Sequence, residues 1–269
     1  MRHLTLSLAF LAVAPLAAQD RAQTEWTLHS ARGGFCIWYL ADPEMVGELL
    51  PKDVVTQAAS AAGTSLPPAL ARVIQDEPRF ASWVPGAICV GVYASASVDG
   101  KEVVAAKEGD RVTVITHSLA AVDPRGIAAA RHYLIELGTD RGSLARAGEL
   151  AGVRTYDRSV DINKVPGSDD DEIELKLDKA KILWQGHPTG PSRVDSTRVM
   201  SFGYAGLRLS SWEVQVKAAP MEMQAMVGAL RIEGKDDLSR VLRASPIRFV
   251  GPIERGGVAT FRFTPGGRK

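Results

Sequence analysis

Between Asp123 and Leu144 the chain reads DPRGIAAARHYLIELGTDRGSL, a stretch that gathers several side chains able to do chemistry. Arg131 and His132 are neighbours, and Asp140 and Arg141 follow in the turn-like run GTDRG. A guanidinium binds a carboxylate through two parallel N–H bonds, and an imidazole exchanges protons near neutral pH. Arg131, His132 and Asp140 are therefore the candidate catalytic residues. The same residues have plainer uses. Arg131 could be a helix-surface cation paired with Glu136 or Asp140, and His132 a packing side chain. The turn holds no lysine, so amine chemistry has no nucleophile within it.

Asp123-Pro124 places an N-cap carboxylate before a proline at the first helical position. That predicts a helix over the Ala-rich run to Leu137, with Gly138 as a left-handed C-cap. Asp42-Pro43 opens a second helix over MVGELL, PPALARVIQ makes another, and DDLSRVLRA, opened by Asp236 or Asp237, a fourth. Elsewhere period-2 alternation dominates. EIELKL puts Ile173, Leu175 and Leu177 on one face, and the phase then shifts to Ala180, Ile182 and Trp184, as a bulge at Asp178 and Lys179 would cause. Val98-Asp99-Gly100-Lys101 fits a tight hairpin turn, and Glu254-Arg255-Gly256-Gly257 fits another between the last two strands. About a dozen strands and a few helices make an α+β fold, a mainly antiparallel curled or barrel-like sheet with peripheral helices. With neither repeat nor linker, residues 19–269 read as a single domain.

The first eighteen residues combine a basic start at Arg2 and His3, an apolar run from Leu4 to Val13, and small residues at Ala17 and Ala18. That is the pattern of a cleaved secretory signal peptide, and it places the mature protein in a periplasm or outside the cell. The apolar run falls short of the roughly 20 residues a membrane span needs. A net charge of +1 gives no electrostatic reason to expect nucleic acid or an anionic membrane as partner. Cys36 and Cys89, in the strand-like runs FCIWYL and AICVGVY, are either one disulfide or two buried thiols.

Familiar motifs are absent. There is no HExxH, CxxC or G-x-S-x-G, Ser143 has no base beside it in sequence, and the five histidines are scattered, so neither a metal nor a cofactor is expected. GALRIEGKD departs from a phosphate loop in glycine spacing and in having Asp236 where Ser or Thr is needed. PGSDDD, Pro166 to Asp171, lacks alternating calcium ligands and reads as a solvated acidic loop.

Three stretches in order resemble the acetoacetate decarboxylase family: ARGGFCIWYLADPEMVGELLP, the Ala130-Arg131-His132 step with ELGTDRGSL after it, and MVGALRIEGKDDLSRVL. The resemblance implies a curled antiparallel barrel around an apolar pocket. Family members decarboxylate β-keto acids through a lysine Schiff base, the amine being kept unprotonated by a neighbouring cation or an apolar site; acetoacetate decarboxylase is the standard case of such activation. Gly142 and Ser143 stand where the lysine pair would fall, and Arg141 cannot replace an amine because it stays protonated. Lys101, Lys107, Lys217 and Lys235 are the lysines that could be displaced nucleophiles. The cations implied by the resemblance survive, so Arg32, Arg131 and Arg141 are the candidate substrate-binding residues.

The expectation is an exported acetoacetate decarboxylase-like protein that acts on or recognises a small organic acid without Schiff-base chemistry; if an enzyme, it is a carbon–carbon lyase. The alternative is a non-catalytic, lipocalin-like binder of an apolar or acidic ligand. A third reading fills the pocket with Trp38, Trp184, Trp212 and Met side chains. Exposed edges of a curled sheet would suit a homo-oligomer.

Overall fold

Alternating apolar residues bury one face of a strand only where a second layer covers it, and here the strands find that cover in two ways. The computed structural model describes residues 23–62, 66–106, 111–122, 132–196, 198–206, 211–218, 220–245, 248–251 and 253–265. Its strands are β1 (Thr24–Ala41), β2 (Val55–Thr56), β3 (Val84–Val98), β4 (Lys101–Val104), β5 (Val112–Val122), β6 (His132–Thr139), β7 (Tyr156–Asp157) and β8 (Ser159–Lys164). They continue with β9 (Asp171–Leu177), β10 (Ala180–Asp195), β11 (Arg198–Ala205), β12 (Ser211–Ala218), β13 (Met221–Glu233), β14 (Arg248–Val250) and β15 (Ile253–Pro265). The helices are α1 (Pro43–Val46), α2 (Ala59–Ala62), α3 (Pro68–Asp76), α4 (Gly142–Leu150) and α5 (Asp237–Ala244).

β1, β3, β5, β6, β11, β12 and β15 pair in that order, and β15 pairs back onto β1 from Thr24↔Phe263 to Ala31↔Gly256. The result is a closed seven-stranded barrel, antiparallel except where β6 meets β11. One cluster of buried side chains draws on all seven strands, including Trp26, Val98, Val112, Leu134, Tyr204, Val214 and Phe263, and so lies inside the barrel. A second sheet, β13-β10-β9-β8, grows from the first residues of β15 and folds over the outside of β1, β3 and β5. The second cluster fills that sandwich, with Phe35, Ile37, Ile88 and Ile115 facing Ile173, Leu175, Ile182 and Trp184. The expected fold class, a mainly antiparallel barrel with peripheral helices, is what the structure shows.

Glycine makes room for the aromatic rings of this core. Trp184 lies against Gly186 and Gly228, which pair directly across β10 and β13. A Cβ on Gly186 would come within 2.0 Å of the Val227 carbonyl oxygen, so no other residue fits without spreading the strands. Cys36 and Cys89 also face each other, across β1 and β3, and form a disulfide.

The helix starts at Asp42 and Asp236 are as expected: the Asp42 carboxylate accepts from Glu44 N at 2.9 Å and that of Asp236 from Ser239 N at 3.0 Å. α3 lies on the predicted PPALARVIQ segment. Three other expectations are corrected. The helix predicted up to Leu137 is, over His132–Leu137, part of strand β6, and Gly138 is a residue of the same strand paired with Ile115 rather than a C-cap. HYLIEL buries side chains on both faces between β5 and β11, and that pairing outweighs local helix propensity. Residues 123–131, with the Asp123-Pro124 start and Arg131, lie outside the described residues. Asp178-Lys179 is not a bulge within a strand but the reversal between β9 and β10, with Leu177 paired to Ala180. Glu254–Gly257 is not a turn between strands but a kink within β15, where positive φ at Gly256 and Gly257 turns the strand from β13 toward β1 and β12. The Asp99-Gly100 hairpin is as expected, and the Asp99 carboxylate also takes the Thr24 hydroxyl and the Glu25 N–H.

Candidate functional site

Where the outer sheet reaches the edge of the barrel wall, the sandwich is left partly open. β14 pairs with β1 at that edge through Tyr39↔Arg248 and Ile37↔Val250, while β10 and β13 bring Trp184, Met226, Gly228 and Leu230 to the other side. Between them is a cleft of about 520 Å³. Its floor is the buried indole of Trp184; Met226, Leu230 and Val250 are half-buried, each packed on the sandwich core with one side left open. Arg248 is the one charged residue among the described residues lining it, and is exposed. One of its N–H groups donates to the Leu242 carbonyl at 3.0 Å, which anchors the guanidinium. Chemically this is a cation set against apolar walls.

Deeper in the sandwich, Tyr39 and His117 form a fully buried hydrogen bond, Tyr39 Oη to His117 Nε2 at 2.6 Å. Burial lowers the His117 pKa to about 4 and pushes the Tyr39 phenol up, so both are neutral at pH 7. A second depression, about 360 Å³, lies on the far face of β10, where Gln185 and His187 alternate with Trp184. There His187 Nδ1 meets Asp170 at 2.7 Å, and this bond holds the Asp170 carboxyl below its usual range. The pair latches the acidic loop, which the sequence analysis read as solvated, onto the sheet.

The residues singled out from sequence are not brought together. His132 and Asp140 stand at opposite ends of β6, on the order of 25 Å apart at strand rise. Asp140 accepts from Thr113 N at 2.7 Å and Arg141 Nε donates to the Arg111 carbonyl at 2.6 Å, so both tie the start of β5 to the end of β6. His132 is half-buried with its ring 6.1 Å from that of Phe202, and burial lowers its pKa. Arg32 is exposed at a bulge in β1, and Arg131 is outside the described residues. Gly142 and Ser143 begin α4 and are exposed. Lys101, Lys217 and Lys235 are exposed, Lys107 lies outside the described residues, and no described lysine is buried. Among the described residues no three metal-ligating side chains cluster, and no helix is long and apolar enough to cross a membrane.

Sequence reasoning missed Arg248 and the cleft. Trp184 was legible as a buried strand residue, but nothing in IRFVG marks Arg248 as facing it, because the two meet only through the pairing of β14 with β1.

No protein-family profile and no curated protein matches this chain. Among solved structures, an acetoacetate decarboxylase-like enzyme from Sphingomonas wittichii RW1 is 12% identical, with 98% of this chain and 99% of that one covered and a TM-score of 0.47. Acetoacetate decarboxylase from Legionella pneumophila is 11% identical, with 90% and 86% covered and a TM-score of 0.44. An enduracididine biosynthesis enzyme complexed with the condensation product of pyruvate and imidazole 4-carboxaldehyde is 10% identical, with 100% and 98% covered and a TM-score of 0.42. The chain is similar in overall arrangement to solved acetoacetate decarboxylases and acetoacetate decarboxylase-like enzymes, the family whose motifs its sequence resembles.

Proposed function

We propose that this protein is an exported organic-acid-recognising protein that works without Schiff-base chemistry, and that the cleft at Arg248 holds the acid. The observation that carries the reading is the cleft itself, whose described lining sets one cation over apolar walls. A carboxylate would take the outward edge of the guanidinium as a bidentate partner, and the rest of the molecule would lie on Trp184, Met226 and Val250. Imine formation needs a lysine whose pKa is depressed by an apolar or cationic surrounding. The described lysines instead face solvent or carboxylates, as Lys181 faces Glu174 at 2.6 Å and Lys176 faces Glu174 at 3.0 Å. Export is supported by the N-terminal signal pattern and by the Cys36–Cys89 disulfide, a bond that persists in oxidising compartments.

The test is calorimetric titration of the mature protein with a panel of keto and simple carboxylic acids, alongside an assay for carbon dioxide release. Saturable binding of carboxylates, weakened about tenfold or more in Arg248→Gln and without turnover, is expected. Carbon dioxide release with an amine adduct trapped by borohydride would overturn the non-imine reading. Carboxylate binding unchanged by Arg248→Gln would move the site elsewhere.

A further inference from the structure

We propose that the occupant of this cleft is a monocarboxylate with an extended aliphatic chain of roughly eight to twelve carbons, rather than a compact keto acid. This rests on the reading of the cleft as an organic-acid site.

The argument is one of size and of polar partners. A volume of about 520 Å³ lies in the range that holds a drug-sized ligand. A four-carbon keto acid has seven non-hydrogen atoms and occupies the space of only a few waters, at about 30 Å³ each. It would leave most of the cleft wet against apolar side chains. A keto acid also carries a second oxygen beside its carboxylate, and recognising it specifically takes a second polar group placed next to the first. Among the described residues Arg248 is the only charged one in the lining, and the indole Nε1 of Trp184 lies against Gly228. The other side chains that face it, Met226, Leu230 and Val250, are apolar.

The open apolar side chains point the same way. Met226, Leu230 and Val250 are each packed on the sandwich core on one side and left half-open on the other. A chain running inward from Arg248 would cover them. Met226 lies alongside that path, and the unbranched thioether adapts to chains of different length. Gly228, with no side chain, lets the Trp184 ring lie flush against β13 as the floor of that path.

Each methylene drawn from water into such a site strengthens binding about three- to fourfold. The experiment is calorimetric titration with butanoate, hexanoate, octanoate and decanoate, with 3-oxobutanoate as the compact keto acid and decanol as the uncharged control. Expected is a rise of about three- to fourfold per methylene up to decanoate, with decanol at least tenfold weaker than decanoate. Arg248→Gln should remove the preference for decanoate over decanol while keeping the dependence on chain length. Met226→Trp, which fills the cleft, should abolish binding of the long acids, and the thermal transition of each variant reports whether it is folded. If 3-oxobutanoate binds as tightly as decanoate, the aliphatic-chain proposal is overturned and the organic-acid reading stands. If no carboxylate binds, both fall. If the chain-length dependence is untouched by Met226→Trp, the acids bind on another surface and the proposal fails.

Discussion

Removing the Cys36–Cys89 bridge by a Cys36→Ala/Cys89→Ala double substitution should lower stability by about 4 kcal/mol. The two cysteines are 53 residues apart in sequence. A cross-link closing a loop of that length takes roughly 14 cal/mol/K from the unfolded chain in the loop-entropy treatment, which is about 4 kcal/mol at 25 °C. Little should be lost from the folded state in compensation. The flanking pairs Phe35↔Val90 and Ile37↔Ile88 continue the β1–β3 ladder on both sides, so the strands stay together without the bond. Both cysteines are half-buried rather than sealed in the core, so alanine leaves no large void. For a domain of this size each kcal/mol moves the melting temperature by about 2–4 °C, so the drop should be roughly 8–16 °C. The assay is thermal unfolding of the oxidised protein, the reduced protein and the double-alanine variant. The reduced protein and the variant should melt together, well below the oxidised form. A double-alanine variant that melts within about 2 °C of the oxidised protein would refute the reasoning.

Other consequences can be checked with the same protein. His117 has its folded pKa lowered to about 4 by burial, below its unfolded value of about 6.5, so the unfolded chain binds the extra proton in between. Stability should therefore fall as pH drops from about 6.5 to about 4, by on the order of 3 kcal/mol from this group, and flatten below. Denaturant titrations of wild type and His117→Asn across that window isolate the effect, and identical slopes would count against it. Gly186→Ala forces a Cβ to within 2.0 Å of the Val227 oxygen and should cost about 3 kcal/mol or more, whereas Gly47→Ala, with nothing within 4 Å, should stay within about 1 kcal/mol. Asp140→Ala strips the Thr113 N–H of its carboxylate acceptor and should cost about 1–3 kcal/mol in thermal unfolding while leaving ligand binding intact. A loss of binding without loss of stability would return Asp140 to the functional residues.

Much of this molecule is written locally. Asp42-Pro43 and Asp236 announce helix starts because a carboxylate three or fewer residues before an unpaired N–H needs no distant partner. EIELKL, KILWQ and the Asp99-Gly100 turn declare strands and a hairpin, since alternation and positive φ are properties of a few adjacent residues. From that pattern the sequence determined a largely antiparallel, curled β protein with peripheral helices. It did not determine which strand lies beside which. HYLIEL became the strand β6 because β5 and β11 offered hydrogen-bond partners on both sides, and those partners are far away in the chain. The pairing of Asp140 and Arg141 with the start of β5 likewise turned two expected site residues into fasteners. The candidate cleft was least legible, because Arg248 and Trp184 belong to different sheets and meet only after β14 docks on β1 and the outer sheet folds over the barrel. Local chemistry sets the conformation of a segment, whereas a site needs charge and apolar surface to converge from segments whose proximity comes only from closing the barrel and packing the second sheet on it.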